Sequence, residues 1–499
     1  MSRTRFALFT ALLVLGGCGT RVQPSEQGAL STSGLTASTA TAGGLPPSIS
    51  APEVSAAPSA KFSAPPVASA TFPQGLPPAA GSTARPAPNR ASGSSGQPST
   101  AAVQPNAVAQ PGPSAPPGSE RGAVAAPPVS QRGTPMVVAS AGTYSGPAGT
   151  VLAPVAQGAQ LWVKHINEHG GLNGHVVRLL VYDDGGDPAR HRALVQQAVE
   201  RDHAIAFVAQ GAAVTGASSV DYLNSKHVPV IGTDAGSPWV YGSPMFFPQT
   251  TSGDAYMFVF LASAAELNVP AGKTRLGTLT CAEAQLCANA DQQFAAKAAS
   301  VGFQHTYRAR ASLAQPDFTA ECLAAKNAEV NVFIVLLDTN SMGRIAGSCA
   351  RQSYHPQFVA PGTVIADRMK DDPNLDGVLA PINLFPWYQS GTPATDEFQQ
   401  ALKAFGNGLP LGMGLTTGWT AGKLLERAGA ALSEPATSAD LLRGLWAIKD
   451  DTLGGLTQPL TFTQNEPARP LACWFNLIIK NGAWASPNGY RQHCEPYQT

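Results

Sequence analysis

The sequence predicts an α/β protein: two doubly wound parallel-sheet lobes preceded by a disordered tether. Three observations carry this. From Pro135 onward, short apolar runs without polar alternation are separated by helix-length amphipathic stretches. From Gly19 to Thr134 almost nothing could build a core: 20 of the 43 prolines fall there, and Phe62 and Phe72 are its aromatics. Charged residues make up 13% of the 499-residue chain, about half the usual share, with Lys+Arg 32 against Asp+Glu 32. That balance leaves no basic stripe, so a nucleic-acid partner is not expected.

The first residues read as an address. Arg3 and Arg5 precede an apolar run from Phe6 to Leu15, too short to cross a bilayer of about 30 Å as a helix. Leu15-Gly16-Gly17-Cys18 resembles a bacterial lipobox, so residues 1–17 are expected to be a lipoprotein signal and Cys18 the lipidated N-terminus. Several acyl chains anchor stably where one does not. The expected location is the extracytoplasmic face of the cell membrane, held by lipid. Residues 18–134 then form a tether reaching about 60 Å as a random coil, and residues 135–499 the folded part.

Within that part, Met136–Ser140 reads as a strand. Val151, Val155, Ala159, Trp162, Val163 and Ile166 recur at helical spacing until Gly170-Gly171 stops them. Val176–Tyr182 is a second strand. Asp187-Pro188 gives an N-cap with proline at the first helical position. Ile205–Ala209 and Val228–Ile231 are further strands with a helix between, and others are expected near 276–280, 306–310, 332–337 and 358–360. The folded part is too long for one such sheet and suits two lobes.

Seven cysteines occur; without Cys18 an even six remain, as suits a disulfide framework in an exported protein. Six allow fifteen pairings. Nearness along the chain favours Cys281–Cys287, Cys322–Cys349 and Cys473–Cys494. A metal site is the alternative, and scattered histidines without a CxxC make it the poorer one.

Three strand-end loops could hold a ligand: Ala141–Pro147 with Ser145 and Gly146, Gln210–Gly216 with Gly211 and Thr215, and Gly232–Pro238 with Thr233, Asp234, Ala235 and Gly236. All follow parallel strands, where open α/β sheets bind ligands. Asp234 is expected to accept from a ligand ammonium or amide; the competing expectation is that it caps the helix near Pro238 or closes an Asx-turn. His165-Ile166-Asn167-Glu168-His169 matches the H-x-x-E-H pattern of a zinc protease, a remote alternative because it stands at a helix end, where histidine is favoured by the dipole alone. Neither a G-x-S-x-G elbow nor a phosphate-binding glycine loop is found, so neither an enzyme nor a cofactor is expected.

Tyr144–Pro147, Gly158-Ala159, Ile166–Gly174, Asp183-Asp184, Asp187-Pro188, Val228–Gly232 and Gly482–Trp484 together resemble the leucine/isoleucine/valine-binding protein family, the type 1 periplasmic binding proteins that feed ABC importers. The resemblance implies two lobes joined by three crossovers, near Pro248–Gly253, Ala380–Leu384 and Leu456–Phe462. It places the first lobe at about 135–250 and 382–458 and the second at about 251–381 and 459–499. A small ligand sits between them. Its carboxylate would be held by Thr215 and Asp234–Gly236, although the family's hydroxyl falls on Gly236. The family's aromatics fall near Gln285 and near Asp338 or Thr339. The acid that pairs the ligand ammonium falls on Gly362, so either Asp234 or Asp338 supplies that charge or the ligand lacks an α-amino group. Trp419 completes the candidate ligand set. The implied function is a monomeric, lipid-anchored receptor for an amino-acid-like or amide-like solute, partnered by an ABC permease and ATPase. A sensor or wall-associated interaction protein on the same fold is the alternative.

Limited proteolysis of the full chain is expected to leave a core beginning near Pro135, where composition breaks. Early cuts within 150–450 with the tether intact would contradict this.

Overall fold

In a computed structural model of the protein, residues 133–495 are described, apart from Gly236, Ser252 and Ala284. Cys18, the signal-like segment and nearly all of the tether lie outside the described residues.

The first lobe is built on a parallel sheet. Its strands are β1 (Met136–Gly142), β2 (Val177–Asp183), β3 (Ala206–Gln210), β4 (Val230–Thr233) and β5 (Phe246–Phe247), in the order β2-β1-β3-β4-β5. Helices α1 (Gly146–Glu168), α2 (Pro188–Glu200) and α3 (Val220–Lys226) connect them. Asp187 caps α2 by accepting from the N–H groups of Ala189 (2.8 Å) and Arg190 (3.1 Å), as the sequence predicts. α1 stops at Glu168, and Gly170 and Gly171 follow with φ of 97° and 81°.

The second lobe begins with α4 (Gly253–Asn268). Strands β6 (Arg275–Cys281), β7 (Gln304–Ala311), β8 (Val332–Leu336), β9 (Gln357–Val359) and β10 (Leu379–Ile382) follow, with α5 (Gln285–Lys297), α6 (Thr319–Asn327) and α7 (Thr339–Ala350) between the earlier ones. The chain then returns to the first lobe for α8 (Pro393–Phe405), α9 (Met413–Ala428) and α10 (Ser438–Ala447). It ends in the second with β11 (Ala472–Lys480), β12 (Ala483–Ala485) and β13 (His493–Glu495). That sheet runs β12-β11-β10-β9-β8-β6-β7, with β13 also beside β11; β6 to β10 are parallel, and β11 to β13 pair antiparallel.

The chain therefore crosses between the sheets at 248–252, 383–392 and 448–471. The crossings bind one another: Thr251 Oγ1 donates to Gln458 Oε1 at 2.9 Å, and the Phe385 N–H donates to Leu456 O at 3.0 Å. Three disulfides form: Cys281–Cys287, Cys322–Cys349 and Cys473–Cys494.

The first lobe depends on α9 lying flat on α1. Gly414, Gly418 and Gly422 recur at intervals of four, so they share one face of α9. A Cβ on Gly418 would stand 1.9 Å from Val155 O and 2.6 Å from Ala159 N, both backbone atoms of α1. One on Gly422 would stand 2.3 Å from Trp162 Cγ. Glycine is thus required by close approach of two backbones. Gly418→Ala forces the helices apart and is expected to cost about 1–3 kcal/mol or more, read as a lower thermal midpoint in the unliganded protein; an unchanged midpoint would mean the seam is not tight.

Candidate functional site

The loops after β1, β3 and β4 converge at one edge of the first sheet, but most of their polar groups are used internally. Asp184, fully buried, accepts from Thr143 Oγ1 and Thr215 Oγ1 (both 2.7 Å), from the Gly186 N–H (2.8 Å) and from His191 Nδ1 (2.9 Å). A carboxylate only accepts, so His191 carries its proton on Nδ1; its Nε2 faces Gln210 Nε2 at 3.4 Å and Ser219 Oγ at 3.2 Å. Burial pushes the Asp184 carboxyl up, but bonds from His191, Thr215, Thr143 and Gly186 outweigh it and hold it at about 2.

Thr215 and Gln210, expected to meet a ligand, are therefore committed to this network. Tyr144 packs inward. Its hydroxyl shares a hydrogen bond with Ser140 Oγ (2.7 Å) and accepts from the Gly211 N–H (3.3 Å), and burial pushes the phenol well up. Ser145 is exposed and bonds Asp183, and Gly146 faces open space. Gly211 packs on the Tyr144 ring. The Thr233 hydroxyl is buried and has no hydrogen-bond partner among the described residues.

Asp234 is buried at 4% exposure, its Oδ2 accepting from the Ala212 N–H (3.2 Å) and from Ser237 Oγ (3.0 Å). It ties the β4 loop to the β3 loop through the Ala212 N–H. It does reach the cleft: with Ala235, Val155, Thr363, Met413 and Thr417 it lines a void of about 20 Å³ between the lobes.

A larger cavity, of about 200 Å³, opens beside it. The first lobe contributes Thr150, Val151 and Pro154 from α1 and Pro410–Gly412 and Gly414 at the start of α9. The second contributes Asp338, Thr339 and Asn340 at the start of α7, then Thr363–Ala366 and Arg368. The lobes touch at its margin, where the Asp367 N–H donates to Leu411 O at 2.9 Å. Among the described lining residues Asp338 is the one acid and Arg368 the one base. Asp338 caps α7 by accepting from the Asn340 (2.8 Å) and Ser341 (3.2 Å) N–H groups, and Arg368 Nη2 donates to Asn340 Oδ1 at 3.2 Å. Thr339 Oγ1 donates to Val364 O at 2.6 Å. From α4, Tyr256 reaches over: its hydroxyl accepts from the Thr363 N–H at 3.3 Å, and burial pushes the phenol up to about 12.

Of the expected ligand residues, the larger cavity takes Asp338 and Thr339, and the smaller void Asp234 and Ala235. Ser145, Gly146, Gln210, Gly211, Thr215, Thr233, Gly362 and Trp419 line neither. Gly362 is buried, its Cα facing Met413 Sδ and Pro381 O so closely that a Cβ would stand 2.7 Å from each; an acid there, as in the family, has no room. Trp419 is a correction: it is fully buried on α9, packed edge-on to Phe398 at 5.3 Å and beside His165 at 5.5 Å, and so belongs to the core. Gly236 and the Gln285 side chain lie outside the described residues, although the Gln285 backbone opens α5. Thr150, Asn340, Thr363 and Arg368 were not anticipated. Thr363 sits beside Gly362 in sequence and could have been found there; nothing local marks Arg368.

His165 Nε2 lies 3.1 Å from Glu397 Oε1, and His169 Nδ1 bonds His165 O at 2.7 Å, so the pattern that suggested zinc is spent on α8 and on its own helix. Among the described residues no group of three His, Cys, Asp or Glu is placed to hold a metal.

Two parallel α/β lobes, three crossings and a cavity between them define a bilobal solute-binding fold. The chain belongs to the periplasmic binding protein family, whose profile matches residues 135–482, and it has the type 1 fold of that family. In solved structures it is similar to a possible leucine/isoleucine/valine-binding protein from Rhodopirellula baltica, at 16% identity and TM-score 0.60 over 73% of this chain and 98% of that one. It is similar also to an ABC transporter solute-binding protein from R. palustris in complex with benzoate (14%, 0.57, over 71% and 95%). A third is a fatty acid ABC transporter substrate-binding protein from Thermomonospora curvata (16%, 0.58, over 71% and 91%). No curated protein sequence matches the chain. The family is extracytoplasmic; among the described residues no helix is long and apolar enough to cross a membrane.

The depressed Asp184 carboxyl has a stability consequence. Its folded value, about 2, lies below the ordinary carboxylate value near 3.9. The stabilisation it supplies is therefore complete above about pH 4 and lost as pH falls towards 2. Asp184→Asn is expected to cost about 1–3 kcal/mol at pH 7 and to flatten the fall in melting temperature between pH 4 and 2. A variant as steep as the wild type in that window would remove Asp184 from the acid limb.

Proposed function

We propose that the protein is the solute-binding component of an ABC importer, tethered to the extracytoplasmic face of the membrane through lipidated Cys18 and acting as a monomer. It captures a small amino-acid-like or amide-like ligand between lobes that close over it and presents the closed form to a permease and its ATPase. The observation that carries this is the cavity of about 200 Å³ lined by both lobes, with one acid and one base on its wall. A ligand bridging both lobes favours the closed arrangement by its differential affinity. Arg368 suits a carboxylate. Asp338 suits an ammonium, a charge the Gly362 position does not supply. Thr150, Asn340 and Thr363 offer polar groups for an amide, and Val151, Pro154, Ile365 and Leu411 suit an apolar body. The structural relatives with leucine, benzoate or fatty acid in their names support a carboxylate-bearing solute.

A thermal-shift screen of amino acids, their amides, polyamines and aromatic acids is the test. A ligand at a hundred times its dissociation constant adds about 2.7 kcal/mol to stability. Asp338→Asn keeps a capping group on α7, so it is expected to leave the unliganded midpoint nearly unchanged and to weaken an amino-acid ligand by about 2 kcal/mol. Arg368→Gln is expected to weaken any carboxylate ligand similarly. If nothing in the screen raises the midpoint, the solute-receptor reading falls.

A further inference from the structure

We propose that residues 483–495 form a strap that braces the hinge and holds the lobes apposed, so that the C-terminal tail regulates how readily the cavity opens; this rests on reading the cavity as a solute site between moving lobes. The strap meets two of the three crossings along its length. Trp484 stands edge-on to Trp387 of the second crossing, ring centres 5.4 Å apart. Ser486 Oγ and Tyr388 Oη share a hydrogen bond of 2.8 Å. Tyr490 Oη donates to Gly455 O of the third crossing at 2.7 Å. Gln492 Nε2 donates to Asn383 O, at the start of the second crossing, at 3.2 Å.

The same strap is fixed to the second lobe by other groups. Tyr490 stacks on Phe475 at 5.3 Å and His493 on Trp474 at 4.6 Å, both nearly parallel. Cys494 is bonded to Cys473 of β11. Glu266 of α4 accepts from Trp474 Nε1 (3.1 Å), Asn476 Nδ2 (2.8 Å) and Asn488 Nδ2 (2.7 Å). The tail is thus a stiff part of one lobe whose polar ends grip the connections to the other.

Where it grips matters. Hinge motion is absorbed by φ/ψ changes at a few connecting residues. In the third crossing Asp450, Leu453, Gly454 and Gly455 all have left-handed backbone, with φ of 52°, 51°, 74° and 90°. Asp450 and Leu453 hold that conformation against their side chains, so their backbone is poised to relax elsewhere. Tyr490 bonds the carbonyl at the end of this run. Opening that turns the joint must break this bond or drag the strap with it. The Tyr490–Gly455 bond is made with the lobes apposed, as they are at the Asp367–Leu411 backbone bond and where Gly362 meets Met413, so the strap favours the apposed state.

The experiment measures lobe separation in the unliganded full-length protein. A keto amino acid placed at the exposed positions Val181 in β2 and Leu323 in α6 carries spin labels without adding thiols. Distance distributions are compared for the parent, for Tyr490→Phe with Gln492→Ala, and for Cys473→Ala with Cys494→Ala. Tyr490→Phe keeps the stack on Phe475 and the disulfide, so the first variant decides the matter even if the second fails to fold. The longer-distance population is expected to grow about fivefold or more in the strap variants. Distributions superimposing on the parent, with or without a lower melting temperature, would show that the tail only covers the edge of β11 and would overturn the proposal. No ligand is used, so this failure is separate from that of the solute-receptor reading, which the thermal-shift screen reports.

Discussion

The packing of α9 on α1 is the contact on which the rest of the architecture depends. α9 comes late in the chain, after the second lobe is nearly built, yet it completes the core of the first. Its glycine face admits backbone against backbone, with Gly418 opposite Val155 O, and side chains such as Trp162 fill the flanks. Because that helix must come back, the chain has to leave the first lobe and return, which accounts for two crossings; the third follows because β11 pairs with β10 in the second lobe. The composition of the cavity wall follows from the return of α9 as well, since its start, at Gly412 and Gly414, faces the start of α7 across the cavity.

The edge of the first lobe is stiff for a different reason. Asp184 is surrounded by donors from three separate loops, those carrying Thr143, Gly186 and Thr215, and by His191 from α2. A buried carboxylate left with fewer partners would be costly, so these loops are held in one arrangement. The Thr215 hydroxyl that sequence similarity would assign to a ligand is thereby spent on the scaffold. On the proposed reading, the chemical choice of ligand moves to the other lobe, where Asp338, Asn340 and Arg368 stand at a helix start and the loop after β9.

This explains what could be read from the chain and what could not. β1, α1 and the cap of α2 follow local rules: an apolar run, a 3.6-residue period ended by two glycines, an aspartate before proline. The disulfide partners follow from nearness in sequence, because Cys322 and Cys349 lie on neighbouring helices α6 and α7 around β8. Thr215 misled because a threonine in a strand-end loop looks the same whether it faces a solute or a buried carboxylate. Trp419 misled because its neighbours, Phe398 and His165, come from distant helices that only tertiary packing brings together. Arg368 was invisible for the same reason: its place opposite α1 depends on how the two lobes meet.

That meeting also shows why the tail is so heavily fastened. A third crossing with left-handed residues at Asp450, Leu453, Gly454 and Gly455 is cheap to reorient, and on the proposed reading lobes joined by it alone would drift apart. The short strand pair β11–β12 ends close to those crossings, and β13 folds back beside β11. Aromatic stacking, the Glu266 bonds and one disulfide stiffen this tail against the second lobe. Its polar groups then reach the carbonyls of Asn383 and Gly455. A tail serving only to shield a sheet edge would need neither contact; both are accounted for if the hinge requires a fixed reference against which to move.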